Sequence, residues 1–256
     1  MGFFSFVDPA LNFVFGPLLN LPPLWAVIIM SFLISLIIVV IYKYATNQSV
    51  MKQLKDEIKD LQKQMKELKN EPEKAMAAQK KAMQTNMKYM MQSMKATLIT
   101  FIPIIILFGW LQAHLAYEPL MPGEEFNTYV NFNDGAKGNI TINVPEGITL
   151  LSEKAKKIEN GRVVFKMKGN EGKYTAPPLE FMYNNETFSK PVVITKERNY
   201  EAPISQIKHS SVKSIELGNK PQMMLNLFGW KIGWLGTYII FALIFSMALR
   251  KVMKVY

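Results

Sequence analysis

Residues 24–42, LWAVIIMSFLISLIIVVIY, run for nineteen positions without a charged side chain. A helix rises ~1.5 Å per residue, so about 20 apolar residues cross the ~30 Å hydrocarbon layer of a bilayer. No water is available there to satisfy a free N–H or C=O, and a segment of this kind is expected to span a membrane as a helix. Two further runs share its character: 97–117, TLITFIPIIILFGWLQAHLAY, and 232–249, IGWLGTYIIFALIFSMAL. The overall composition, 49% hydrophobic and 20% charged, would suit a water-soluble protein. The apolar residues are concentrated in three blocks, and that distribution points to a membrane protein.

Charge supplies the expected orientation. Residues 43–96 hold twelve lysines against six acidic residues, and the tail adds Arg250, Lys251 and Lys254. By the positive-inside rule both pieces belong in the cytoplasm. The first 42 residues carry only Asp8, which puts the N-terminus outside, and residues 118–230 are close to charge balance. The expected topology is N-out and C-in in the cell membrane, with three spans. Most of the net charge of +10 follows from this orientation. The hairpin lysines could also meet ribosomal RNA or anionic lipid, or form a solvated face; nothing in the sequence suggests DNA. The chain has no cysteine, which excludes disulfides and thiol chemistry. Its opening, with Phe3, Phe4, Phe6 and Asp8, lacks the basic residues of a signal peptide, so the first span is read as retained.

The expected fold class is an α-helical membrane protein with three transmembrane helices, a cytoplasmic antiparallel helical hairpin and an extracellular all-β, sandwich-like insertion. The expected boundaries are an outer interfacial segment at 1–23, spans at 24–44 and 97–117, the hairpin at 45–96 and the β insertion at 118–222. An interfacial segment and third span follow at 223–249, then a cytoplasmic tail at 250–256. In the hairpin, Met51, Leu54, Ile58, Leu61, Met65 and Leu68 keep an a/d heptad spacing until Glu71-Pro72 interrupts it. A second helix then carries Met76, Met83, Met87, Met90 and Met94, with Met91 beside them, and runs into the second span. An intermolecular coiled coil is the competing reading of this pattern. In the insertion, short alternating runs such as 140–144, 163–167, 179–183 and 192–195 are separated by Asn- and Gly-rich turns. They suggest a small antiparallel sandwich, immunoglobulin-like in outline.

Signals for catalysis are poor. His114 and His209 are far apart, no acidic cluster has metal-ligand spacing, and no phosphate-binding or nucleophile motif occurs, so neither enzyme activity nor a metal or cofactor is expected. The methionines are more informative. Six of the 17 lie between Met76 and Met94. An unbranched thioether adapts to irregular apolar partners, so the stripe is either the hairpin seam or a surface for hydrophobic clients. The polar residues in and beside the spans are Ser31, Ser35, Thr97, Thr100, Gln112, Thr237 and Ser246, which fit either helix packing or a hydrated groove.

The stretch LPPLWAVIIMSFLISLIIVVIYKYATNQSVMKQLKDEIKDLQKQMKELKNEPEKAMAAQKKAMQTNMKYMMQSMKATLITFIPIIILFGWL, with the closing FGWKIGWLGTYIIFALIFSMALRKVMKV, resembles archaeal YidC-like proteins. Their superfamily includes bacterial YidC, mitochondrial Oxa-type insertases and subunit 3 of the eukaryotic ER membrane complex. The resemblance implies an insertase whose spans and hairpin form a groove through which a short hydrophobic segment slides into lipid. Nascent membrane-protein segments and the bilayer would be its partners, with a ribosome contact through the basic hairpin. The methionines would receive the client, and the hydroxyl and amide groups of the spans would solvate its polar end. The first span lacks the arginine typical of bacterial members, which leaves groove hydration rather than charge attraction. The other reading of the sequence is a structural or receptor-like membrane protein with an extracellular binding domain and a cytoplasmic scaffold.

Overall fold

A computed structural model describes residues 7–68 and 71–255; the aromatic opening Phe3, Phe4 and Phe6, the hairpin positions 69–70 and Tyr256 lie outside the described residues. Among the described residues four α-helices, α1 Asp8–Phe15, α2 Pro23–Ala45, α3 Gln48–Glu67 and α4 Pro72–Leu115, are followed by eleven strands, β1 to β11, between Glu125 and Gly233, and by a fifth helix, α5 Trp234–Val252. A 3-10 turn, Gly16–Asn20, follows α1. The helices α2, α4 and α5 are long and apolar enough to cross a membrane, with mean hydropathies of 3.1, 2.0 and 1.6. The third begins at Trp234; Ile232 and Gly233, expected within the span, instead finish a strand.

The chain divides into two compact units. The first contains Leu21–Gly109 and Leu235–Tyr256. Within it α2 presents one buried stripe, Ala26, Val27, Met30, Ser31, Ile34, Ser35, Val39 and Tyr42, at the i, i+3, i+4 spacing of a single helix face. Thr46 ends this helix by donating its hydroxyl to the Tyr42 carbonyl at 2.7 Å. Asn47 starts the next, its Oδ1 accepting the N–H groups of Ser49 and Val50 at 3.2 and 3.3 Å. Helix is thus handed to helix across two residues. Pro72 opens α4, where its missing N–H costs nothing, and Pro103 is accommodated without ending the helix.

The second unit contains Leu11–Asn20 and Trp110–Trp234. One main sheet runs β3 (Ile148–Leu150), β5 (Arg162–Gly169), β1 (Glu125–Phe132), β9 (Val212–Leu217), β8 (Ile204–Gln206), and the other β4 (Ala155–Lys157), β2 (Asn139–Asn143), β6 (Gly172–Tyr183), β7 (Glu186–Ile194). Strand β5 buries Val163, Phe165 and Met167 at alternate positions and exposes the residues between them. Those side chains share one core with Ile140, Ile142, Leu179 and Phe181 of the other sheet, which makes the pair a sandwich. The topology is not the immunoglobulin-like one expected: β1 to β6 alternate strictly between the sheets, and the first hairpin within one sheet is β6–β7. Glycine is required at Gly218, where an added Cβ would lie 2.7 Å from the Asn127 carbonyl oxygen.

Two buried polar groups fix this unit. The Tyr200 hydroxyl donates to the Gln112 carbonyl at 2.6 Å and accepts the Ala116 and Tyr117 N–H groups at 2.9 and 3.3 Å. It therefore closes the last turn of α4, where carbonyls have no partner within the helix. Burial pushes its pKa up to about 12. Lys190, 1% exposed, donates to the Ala202 carbonyl and to the Ser205 hydroxyl, the latter at 2.7 Å. Burial pushes its ammonium down from 10.5 to about 8, partly offset by Glu201.

The two groups give opposite pH dependences. Between about 8 and 10.5 the unfolded chain holds the Lys190 proton more tightly than the folded one, so this group adds stability as pH rises. Tyr200 stabilises fully below its ordinary value of 10.0, and that contribution is lost as pH climbs towards about 12. Amide exchange in this unit should accordingly slow from pH 8 to 10, after correction for intrinsic rates, and quicken above 10. In Tyr200→Phe the Ala116 and Tyr117 amides should exchange about ten-fold faster or more, matching the ~1–3 kcal/mol cost of buried groups left unpaired.

Candidate functional site

The hairpin is antiparallel. Lys81 of α4 pairs with Glu57 of α3 at 3.5 Å, and Met51 near the start of α3 shares a cluster with Ala96 far along α4. The apolar heptad of α3 supplies one side of the seam: Met51 and Leu61 are buried, and Leu54, Ile58, Met65 and Leu68 are half-buried. On α4 the less exposed positions are Ala75, Ala78, Ala82, Thr85, Tyr89, Ser93, Ala96 and Thr100. Their steps of three and four residues mark one face, made mostly of small side chains.

The methionines are not in this seam. Met76, Met83, Met87, Met90, Met91 and Met94 are each between 55% and 70% exposed. At ~100° per residue they fall on the side of α4 opposite Ala78, Thr85 and Ala96. The same face continues into the apolar half of the helix as Leu98, Phe101, Ile102 and Ile105, all exposed. From Met76 to Ile105 this is an unpartnered apolar rail of about 44 Å at ~1.5 Å per residue. Lys88 and Lys95, both exposed, border it, and the exposed Lys80 lies within it between Met76 and Met83.

A cluster of Val39, Tyr42, Met51, Ala96 and Val255 roots the hairpin where four helices end or pass. The Arg250 guanidinium lies 4.6 Å from the centre of the Tyr42 ring, a cation–π contact. Lys254 adopts a left-handed φ of 53° and the Val255 N–H reaches the Arg250 carbonyl at 2.9 Å, a Schellman closure that turns Val255 back into the cluster.

The seven polar residues expected to line a groove differ in burial and in partners. Ser31 is buried and donates to the Val27 carbonyl of its own helix at 2.7 Å. Ser35, also buried, donates to the Ala242 carbonyl of α5 at 3.4 Å. Thr97 and Thr100 donate to the Ser93 and Thr97 carbonyls at 3.1 and 2.9 Å. Thr237 is buried, Ser246 half-buried and Gln112 exposed, the last belonging to the second unit. In this conformation the hydroxyls of Ser31, Ser35 and Thr100 are satisfied by backbone carbonyls, as polar groups in a packed helix interface are. Helix α5 meets the other helices through the Phe32–Phe245 and Phe108–Tyr238 ring pairs at 5.4 and 4.8 Å, the Ser35 bond, the Arg250–Tyr42 contact and Leu249 against the root cluster. Only Thr237 and Tyr238 of this helix are buried.

In the second unit the indole N–H of Trp110 donates to Asn12 at 2.7 Å and the Arg198 guanidinium donates to the Leu19 carbonyl at 2.9 Å. Among the described residues no three His, Asp or Glu side chains come together as a metal site.

Seam and rail should respond differently to substitution. Ala96→Leu is expected to overpack the root and destabilise the hairpin by ~1–3 kcal/mol, raising its protease sensitivity. Met87→Ala, on the exposed face, should leave sensitivity within the ~0.5 kcal/mol range of surface changes.

Residues 12–133 match the model of the family described as integral membrane protein EMC3/TMCO1-like. The match runs from α1 through β1, just under half of the chain, and takes in α2, the hairpin and the whole of α4. No curated protein and no solved structure matches the chain.

Proposed function

We propose that the chain, which resembles the EMC3/TMCO1-like family over residues 12–133, belongs to the YidC/Oxa1/Alb3/EMC3 insertase superfamily and is a membrane-protein insertase or biogenesis chaperone working through the methionine rail of α4. A general role in membrane insertion or biogenesis accompanies the family, as does a multi-pass place in a membrane. The finer reading is that Met76, Met83, Met87, Met90, Met91 and Met94 receive a hydrophobic segment in the cytoplasm and pass it along Leu98 and Phe101 towards lipid. The observation that carries it is the exposure of this face opposite a complete seam. A helix already packed through Ala78, Thr85 and Ala96 has no structural need for six more apolar side chains in water, and an exposed patch of that kind marks an interaction surface.

No covalent step is required. Removing apolar area from water releases ~25 cal/mol per Å², which drives a client segment into lipid, while the barrier is its polar flank. In the proposed cycle α5, of which only Thr237 and Tyr238 are buried, swings from α2 and breaks the 3.4 Å Ser35 bond, so that Ser35 and Thr237 hydrate that flank. The hairpin and C-terminus are cytoplasmic, the N-terminus and β unit are outside, and the hairpin lysines face the ribosome.

Photo-crosslinkers at positions 83, 87 and 90 of membrane-embedded protein should capture nascent hydrophobic segments during translation. In liposomes, replacing Met83, Met87, Met90 and Met94 together by serine should reduce insertion of a short-tailed single-span client about ten-fold with the hairpin still folded. Undiminished insertion, with no crosslinks, would remove the rail from the mechanism.

A further inference from the structure

Three two-residue turns in the second unit have left-handed backbone at both central positions. Asn160-Gly161 has φ of 51° and 70°, Asn184-Asn185 has 48° and 63°, and Phe228-Gly229 has 54° and 92°. Such turns favour Asn-Gly, because a large side chain at positive φ crowds its own backbone. The first two obey this preference. The third joins β10, Met223–Leu227, to β11, Trp230–Gly233, and puts phenylalanine where the others have asparagine. The turn itself gains nothing from that ring. The ring is moreover fully exposed, with Leu227 and Trp230, paired across the strands beside it, also exposed.

Three features identify what covers this tip. Strand β11 passes into α5 with no intervening residue, so the tip lies within about 13 Å, four residues at ~3.3 Å, of the start of a span. Lys231 is the only charged side chain from 222 to 233, and tryptophan and lysine are the residue types that favour the headgroup level. The Gly229 N–H is already bonded to the Asn226 side chain at 3.0 Å, so this backbone donor needs no water.

We propose that the β10–β11 hairpin is a lipid-inserting finger: Leu227 and Phe228 enter the acyl region of the leaflet where α5 begins, with Trp230 and Lys231 at its headgroups. The finger depends on α5 spanning the membrane and not on the insertase reading. It makes the β unit a second contact with the bilayer, so that this unit is held at the surface by more than its covalent links.

The cysteine-free chain allows a direct test on full-length protein in phospholipid liposomes. A nitroxide on Leu227→Cys leaves Phe228 in place, and Asn185→Cys labels the tip of another exposed turn. The expected ratio of oxygen to nickel-chelate accessibility is at least ten-fold higher at 227 than at 185. Adding Phe228→Asn, which suits the turn, should lower the ratio at 227 towards that at 185. Equal ratios at the two sites would place the tip in water and overturn the proposal. Protection at 227 that appears only at high protein density, or only with client present, would assign the tip to a second copy or to the client and overturn it as well.

Discussion

The continuity of α4 through Pro103 is the constraint on which the membrane core depends. Its 44 residues, Pro72–Leu115, extend for about 66 Å at ~1.5 Å per residue, roughly twice the hydrocarbon thickness. A continuous helix keeps a fixed angular phase, so the face a residue occupies in the hairpin determines the face its successors occupy in the span. Small residues set the inner face from Ala75 to Thr100, and Leu107 and Leu111 continue it. The opposite face is thereby committed to the outside over its whole length. A break near Thr97 would have uncoupled the two halves, and the methionines could not then lead into Leu98 and Phe101.

The root around Tyr42 makes that phase useful. One aromatic ring is packed among residues of α2, α3, α4 and the C-terminal turn, with a guanidinium over its face. Small residues at Ala96 and Thr100 let the helices approach, the device that drives association where the hydrophobic effect between helices is absent. The hairpin is therefore oriented by packing at its base rather than by surface ion pairs. The Lys81–Glu57 pair, with both side chains well exposed, adds little.

Much of this was legible in the chain. The three apolar runs announce the spanning helices, and the heptad of α3 identifies its buried face. The turns at Asn160-Gly161 and Asn184-Asn185 lie where Asn and Gly spacing puts them. Which face of α4 is buried was not legible, because alanine, serine and threonine carry little hydropathy signal while methionine carries a strong one at the same period. An apolar stripe at helical spacing does not say whether its partner is inside the protein. β1 and β9 were missed for a related reason. Asn127, Asn131, Lys213 and Glu216 dilute the strand signal, although Phe126, Thr128 and Val130 alternate inward in β1 and Val212, Ser214 and Leu217 are buried in β9. The third span starts later than its apolar run suggests because a strand and a membrane helix both tolerate Ile232-Gly233, and hydrogen bonding to β10 decides between them.

The polar residues of the spans tie these points to mechanism. A serine or threonine in hydrocarbon must find an acceptor, and the nearest is a carbonyl of its own helix one turn back, as for Ser31. Such a bond stores no charge and does not lock two helices together. Ser35 instead reaches across to α5 at 3.4 Å, a length at which a hydrogen bond is weak. A core that carried an intramembrane cation would have to keep water or a counter-ion permanently near it. Hydroxyl groups satisfied by backbone can stay dry while idle and accept water only when a neighbour withdraws. Under the proposed function that difference explains how a three-span core without an intramembrane charge can be sealed at rest and polar in use. It also puts the demand for movement on α5, the helix with the least buried surface of the three.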